Sequence, residues 1–122
     1  MGDLVYPIAY LEKSDFSDSG ELTGTFSGDK PMFVMIQGSY CGACQSAKPA
    51  FQQLANEGII QCMTIQLDGT RQSEKDIGSI LQNIYPNLSG IPAFIVYANG
   101  QKIPYQGGRS TEEMRRFVQK YI

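Results

Sequence analysis

Apolar positions along this chain fall into short blocks that switch between two spacings. Pro31-Met32-Phe33-Val34-Met35-Ile36-Gln37 is almost continuously apolar, as in a strand whose sheet is covered on both faces. Ile59 to Leu67 predicts another strand, and Ala93 to Ala98 with Lys102 to Gln106 flank Asn99-Gly100, a hairpin turn signal. Val5 to Leu11 predicts an opening strand that Pro7 confines to a sheet edge. Between the strands the spacing becomes helical. Cys41 to Glu57 predicts a helix stopped by Gly58. Ser73-Glu74-Lys75-Asp76 has the form of a capping box, and Ile77, Ile80, Leu81 and Ile84 then share one face. Ser110-Thr111-Glu112-Glu113 repeats the device ahead of Met114, Phe117, Val118 and Tyr121. Ser14 to Gly28, rich in Ser, Gly and Asp, predicts only a short, weak helix.

The predicted order is therefore βαβαβαββα. Alternating strands and helices imply right-handed crossovers and a parallel portion of sheet, to which the hairpin adds an antiparallel edge. An α/β fold follows, with a central mixed sheet flanked by helices. At 122 residues, with no repeat or linker, residues 1–122 are expected to form one domain.

Composition narrows the chemistry. A net charge of −2 without a basic block argues against a nucleic-acid partner. There is no histidine, which removes Ser-His and Cys-His catalysis, His metal ligation and a histidine pH switch. No apolar run approaches membrane-spanning length, so no membrane partner is expected. Met1 to Leu11 has neither the basic nor the apolar region of a secretory leader, and Tyr6 stands where an acylation motif at Gly2 would need Ser or Thr. Of three cysteines, two lie in one C-x-x-C, so a disulfide framework is not expected. A reducing, cytoplasmic setting is the expectation.

Cys41-Gly42-Ala43-Cys44 sits between a predicted strand and the helix it opens. Unpaired N–H groups and a partial positive charge at a helix N-terminus favour a thiolate over a thiol, and the spacing brings both sulfurs to one side of the first turn. Ala43 keeps an N–H that a proline would lack, available to the Cys41 sulfur. About fifty residues on, Gly90-Ile91-Pro92-Ala93-Phe94 places an X-Pro bond at the mouth of another strand. A half zinc site is the competing reading of the C-x-x-C. The only further soft ligand is Cys62, in a predicted buried strand where a small core role suits it better, so no metal is expected.

These features resemble the thioredoxin family. The specific pieces are C-G-x-C, Pro49 five residues after the second cysteine, and Asp68 at the end of the next strand. Gly90-Ile91-Pro92, the Asn99-Gly100 hairpin and Gly107 ahead of the last helix complete the set. The resemblance implies a thioredoxin fold and a thiol–disulfide oxidoreductase needing no cofactor beyond a redox-active Cys41–Cys44 disulfide. It implies Cys41 as nucleophile and Cys44 as the resolving thiol. Pro92 would be a cis proline facing them, the Ile91 backbone would pair with substrate, and Gly107 with Gly108 would keep the opposite rim low. Tyr40, Gly42 and Ala43 would contact substrate beside the nucleophile, and Pro49 would bend the helix. Expected partners are protein disulfides and a reductase resembling those that recharge thioredoxins, acting on a monomer. The alternatives are an oxidase or isomerase of the protein disulfide isomerase type, or a docking module with little turnover.

Departures from the family pattern also carry information. Tyr40 and Gln37 stand where the family usually has tryptophans. Met35 replaces the buried Asp beneath the second cysteine, and Thr64 its Lys partner. Losing both is coherent, because either charge alone in that interior would be costly. It leaves the proton acceptor for Cys44 unassigned, with water or the departing Cys41 thiolate as candidates.

Overall fold

The computed structural model describes residues 3–23 and 30–122. Five strands form one mixed sheet: β1 (Ala9–Tyr10), β2 (Met32–Gln37), β3 (Gln61–Gln66), β4 (Ala93–Ala98) and β5 (Gln101–Tyr105), in the spatial order β1-β3-β2-β4-β5. β1, β3 and β2 run parallel, whereas β4 and β5 are antiparallel to their neighbours. The helices are α1 (Gly42–Glu57), α2 (Gln72–Lys75), α3 (Leu81–Ile84) and α4 (Thr111–Val118). A 3-10 segment, Asp76–Ile80, joins α2 to α3, and another, Gln119–Tyr121, follows α4.

β2 is buried at every position because it lies mid-sheet with a helical layer on each face. Alternation divides its side chains. Phe33 and Met35 pack with Phe51 and Leu54 of α1 and with Met114 and Val118 of α4. Val34 and Ile36 join Ile77, Ile80 and Ile84 on the opposite face. The hairpin follows from Asn99 and Gly100, both at positive φ (53° and 73°), as a type I′ turn requires.

Three predicted elements differ. The opening strand shrinks to Ala9–Tyr10, because Tyr6 and Pro7 form a turn. The residues ahead of it lie along α1 instead, where Gln52 Oε1 accepts from the Val5 N–H at 2.8 Å and Gln52 Nε2 donates to the Val5 carbonyl at 3.2 Å. The weak helix predicted from Ser14 is, as far as residue 23, a 3-10 turn (Lys13–Asp15) and a Phe16–Leu22 bridge. Its remainder, 24–28, lies outside the described residues, as do Met1 and Gly2. The helix predicted from Ser73 starts at Gln72 and breaks into α and 3-10 turns. Ser73 is not its cap: the hydroxyl donates to Glu12 at 2.5 Å, and Glu74 accepts from the Arg71 N–H at 3.0 Å. Gly78 within the run adds backbone freedom that opposes a regular helix.

This topology assembles one end of the sheet. Ile36 pairs with Ala93, and the Leu67 N–H donates to the Gln37 carbonyl at 2.9 Å. The segments leaving β2 and β3 and entering β4 therefore converge there. Residues 38–41 and 89–92, far apart in sequence, become neighbours.

Candidate active site

Cys41 is the N-cap of α1, and its sulfur accepts from the Cys44 N–H at 3.1 Å. The two cysteines are disulfide-bonded, with Cα atoms 5.2 Å apart. Cys41 is half-buried and Cys44 fully buried, because the cap lies at the rim while the next turn faces the core. No charged residue occupies the first turn, so stabilisation of a Cys41 thiolate falls to helix N–H groups. The donor in place is the Cys44 N–H rather than that of Ala43. α1 runs unbroken from Gly42 to Glu57 with Pro49 inside it.

The Ile91 carbonyl lies 3.6 Å from Cys41 Sγ, within reach of a thiol donor once the disulfide is reduced. The Ile91–Pro92 peptide bond is cis, with Pro92 buried and Ile91 half-buried. Beside it opens a groove of about 340 Å³, lined among others by Tyr85, Leu88, Ile91, Pro92, Gly107 and Arg109. Gly107 is exposed on this rim, and a Cβ there would come within 2.6 Å of the Tyr105 hydroxyl. Gly42 and Ala43 are exposed at the tip of α1. Tyr40 is 69% exposed, yet its ring folds back over Gly38 and does not line the groove.

The segment before Cys41 is anchored by Asp68, just past β3. Its carboxylate accepts from the Ser39 amide at 3.0 Å and from the Ser39 hydroxyl, and Gln45 Nε2 donates to the Ser39 carbonyl at 3.2 Å. The Ser39 hydroxyl first, then its amide, hold the Asp68 carboxyl below the usual range. A depressed carboxylate pKa means the anchor is at full strength above the unfolded value of about 3.9 and is lost as pH falls through the lower folded value. Asp68→Ala is expected to speed hydrogen exchange at the Ser39 amide at least about tenfold, the opening of one charge-assisted hydrogen bond. Unchanged exchange would mean that the segment is held elsewhere.

Behind Cys44, the positions that lack the family's charges are joined by neutral hydrogen bonds. Thr64 Oγ1 donates to the Met35 carbonyl at 2.8 Å and accepts from Gln37 Nε2 at 3.2 Å. Gln37 Oε1 is buried without a partner among the described residues. Cys62 packs in the same core layer, its thiol pushed up to about 12 by burial, and is suited to packing rather than exchange. Sequence reasoning missed Lys48, which is only 3% exposed. The available signal was its spacing, four residues after Cys44 on the face that also carries Ala47 and Phe51.

A disulfide capping a helix, one sulfur toward solvent and one toward the core, is the equipment of a thiol–disulfide oxidoreductase. Comparison with known proteins gives the same class. The Thioredoxin family model matches residues 23–120. The thioredoxin-like protein 453L of Invertebrate iridescent virus 6 is 33% identical over 92% of each chain. Protein disulfide-isomerase of Saccharomyces cerevisiae is 23% identical over 75% of this chain, which corresponds to 17% of that protein's length. The structure of Chlamydomonas reinhardtii thioredoxin f2 superposes with a TM-score of 0.66 at 19% identity, covering 93% of this chain and 94% of that one. The chain belongs to the thioredoxin family.

Proposed function

We propose that this domain reduces protein disulfides. In the forward cycle the Cys41 thiolate attacks one sulfur of a substrate disulfide, and the other sulfur leaves as a thiolate. Cys44 then attacks Cys41 Sγ, the mixed disulfide breaks, and the second substrate sulfur departs with its electron pair. The product is the Cys41–Cys44 disulfide, and a separate reductase returns two electrons to it. Substrate chain lies in the groove beside Ile91 and Pro92, where the Ile91 backbone offers hydrogen bonds to an extended strand.

The observation that favours the reducing direction is the sparse stabilisation of the Cys41 sulfur. One helix N–H reaches it, and the motif carries neither a cation nor a histidine. A less stabilised thiolate makes the dithiol a better electron donor. Expressed as a potential, the expectation lies between about −270 mV, typical of thioredoxin, and about −180 mV, typical of protein disulfide isomerase, nearer the former. Equilibration in glutathione redox buffers, with the oxidised fraction read by mass spectrometry, measures it. A potential at or above the isomerase value would overturn the reductant reading in favour of an oxidase or isomerase.

A further inference from the structure

The groove beside Ile91 has two walls, and both are held from behind. One is the segment that leaves α3, with Tyr85 and Leu88; the other runs from the end of β5 to Arg109, just ahead of α4. In the first wall Asn87 turns the chain at a φ of 63°, and the Leu88 N–H donates to the Tyr85 carbonyl at 3.2 Å. In the second the Tyr105 hydroxyl donates to the Gly108 carbonyl, and Ser110 caps α4. Arg109 lies between those two fixed points with its side chain exposed. The Ile91 carbonyl, 3.6 Å from Cys41 Sγ, puts the nucleophile at one end of the same groove. A chain attacked by Cys41 and laid along Ile91 therefore passes the wall that carries Arg109.

Charge singles this residue out. Arg109 carries the only formal charge among the described residues that line the groove. The other arginines, Arg71, Arg115 and Arg116, each face a carboxylate within 4 Å, at Glu12, Glu57 and Glu112. Arg109 makes no ion pair and no side-chain hydrogen bond among the described residues. Glu113, four residues on, is turned into the helix cap instead, where it accepts from the Ser110 hydroxyl at 2.7 Å. The chain as a whole has a net charge of −2, so this cation opposes the overall sign. Because salt screens exposed charges beyond about 8 Å at physiological ionic strength, the local cation decides what the groove attracts. A guanidinium presents a planar fork of N–H donors that matches both oxygens of a carboxylate.

We propose that Arg109 selects protein substrates whose reacting cysteine has an acidic residue close by in sequence. The guanidinium takes that carboxylate while the substrate chain lies along Ile91. This rests on the exchange reading above and names the substrate class of the same site. Arg109 is a specificity residue and takes no part in the exchange of sulfurs. Its competing role is passive, since an arginine stem can cover a groove wall without using its charge. The two roles separate cleanly: a wall serves every substrate alike, whereas a cation tells an acidic neighbour from a basic one.

The probes are short peptides whose single cysteine is joined to a chromogenic aromatic thiol. Cys41 Sγ bonds to the peptide sulfur, the peptide–aromatic disulfide breaks, and the aromatic thiolate leaves with the electron pair, the more acidic thiol being the better leaving group. Sets identical except for Glu, Gln or Lys, placed in turn at the two positions on either side of the cysteine, are mixed with reduced protein below saturation. Dividing each rate by that of dithiothreitol removes the intrinsic reactivity of the peptide. At one or more positions the Glu-to-Lys rate ratio is expected to fall about threefold in Arg109→Gln and about tenfold in Arg109→Glu, the scale of exposed ion pairs lost and then reversed. These differences should vanish in about 1 M salt, where the screening length is about 3 Å. An equal change toward Glu, Gln and Lys peptides, or a ratio that Arg109→Glu leaves unaltered at every position, would overturn the proposal. Release from none of the peptides by the wild-type protein would instead overturn the exchange reading beneath it.

Discussion

Cys44→Ser should convert the protein into a trap. With the resolving sulfur gone, the Cys41 thiolate still attacks a disulfide but the resulting mixed disulfide has no internal nucleophile to clear it. Incubated with an oxidised protein substrate, the variant is expected to accumulate a covalent adduct seen on non-reducing gels and removed by dithiothreitol. Cys41→Ser should form none, because Cys44, although in the first turn of α1, is fully buried and out of reach of a protein substrate. The same asymmetry should appear in the reduced wild-type protein, where iodoacetamide is expected to modify Cys41 at least about tenfold faster than Cys44. Equal modification, or adducts at Cys44, would reverse the roles assigned to the two thiols. Cys62 serves as an internal reference, since its buried, poorly acidic thiol should stay unmodified until the protein unfolds.

Phe33→Ala should be the most damaging change away from the chemistry. Phe33 lies fully buried on β2, with ring centroids 5.6 Å from Phe51, 5.7 Å from Phe94 and 6.2 Å from Tyr105. Through these contacts it joins α1, β4 and β5 to the central strand. Truncating a buried phenylalanine costs about 3–5 kcal/mol, against a total stability of about 5–15 kcal/mol for a small domain. Urea denaturation should therefore show a large fall in midpoint with little change in slope. A loss under about 1 kcal/mol, the scale of a surface change, would mean that the neighbouring rings close the gap.

The two effects trace back to sequence in different ways. Phe33 could be placed in a core strand directly, because an uninterrupted apolar run fits a strand covered on both faces. Alternation along the strand also divides its neighbours into two sets, but which set meets α1 and which meets the α2–α3 layer was settled only by the topology. Cys41 at a helix start, Ser110 as a cap that accepts from the Glu113 N–H at 3.1 Å, and the Asn99-Gly100 turn were legible as directly as Phe33. Each depends on groups a few residues apart. The Ser73 cap failed because Glu12, sixty-one residues away, competes for that hydroxyl. The opening strand shortened because its first residues found α1 rather than a sheet neighbour.

What the sequence determined by itself, then, was the class of fold and the dithiol at a helix N-terminus, both set by local periodicity, capping and spacing. The tertiary structure alone decided what surrounds that dithiol. Strand order brings the Ile91 carbonyl to Cys41 across fifty residues, and sends Asp68 to anchor Ser39. It also folds the N-terminal segment over Lys48, turning what reads as an ordinary helix-surface lysine into an enclosed one. The physical reason is desolvation: a charge changes its chemistry when distant chain excludes water from it, and nothing in the residues beside Lys48 records which segment will do so.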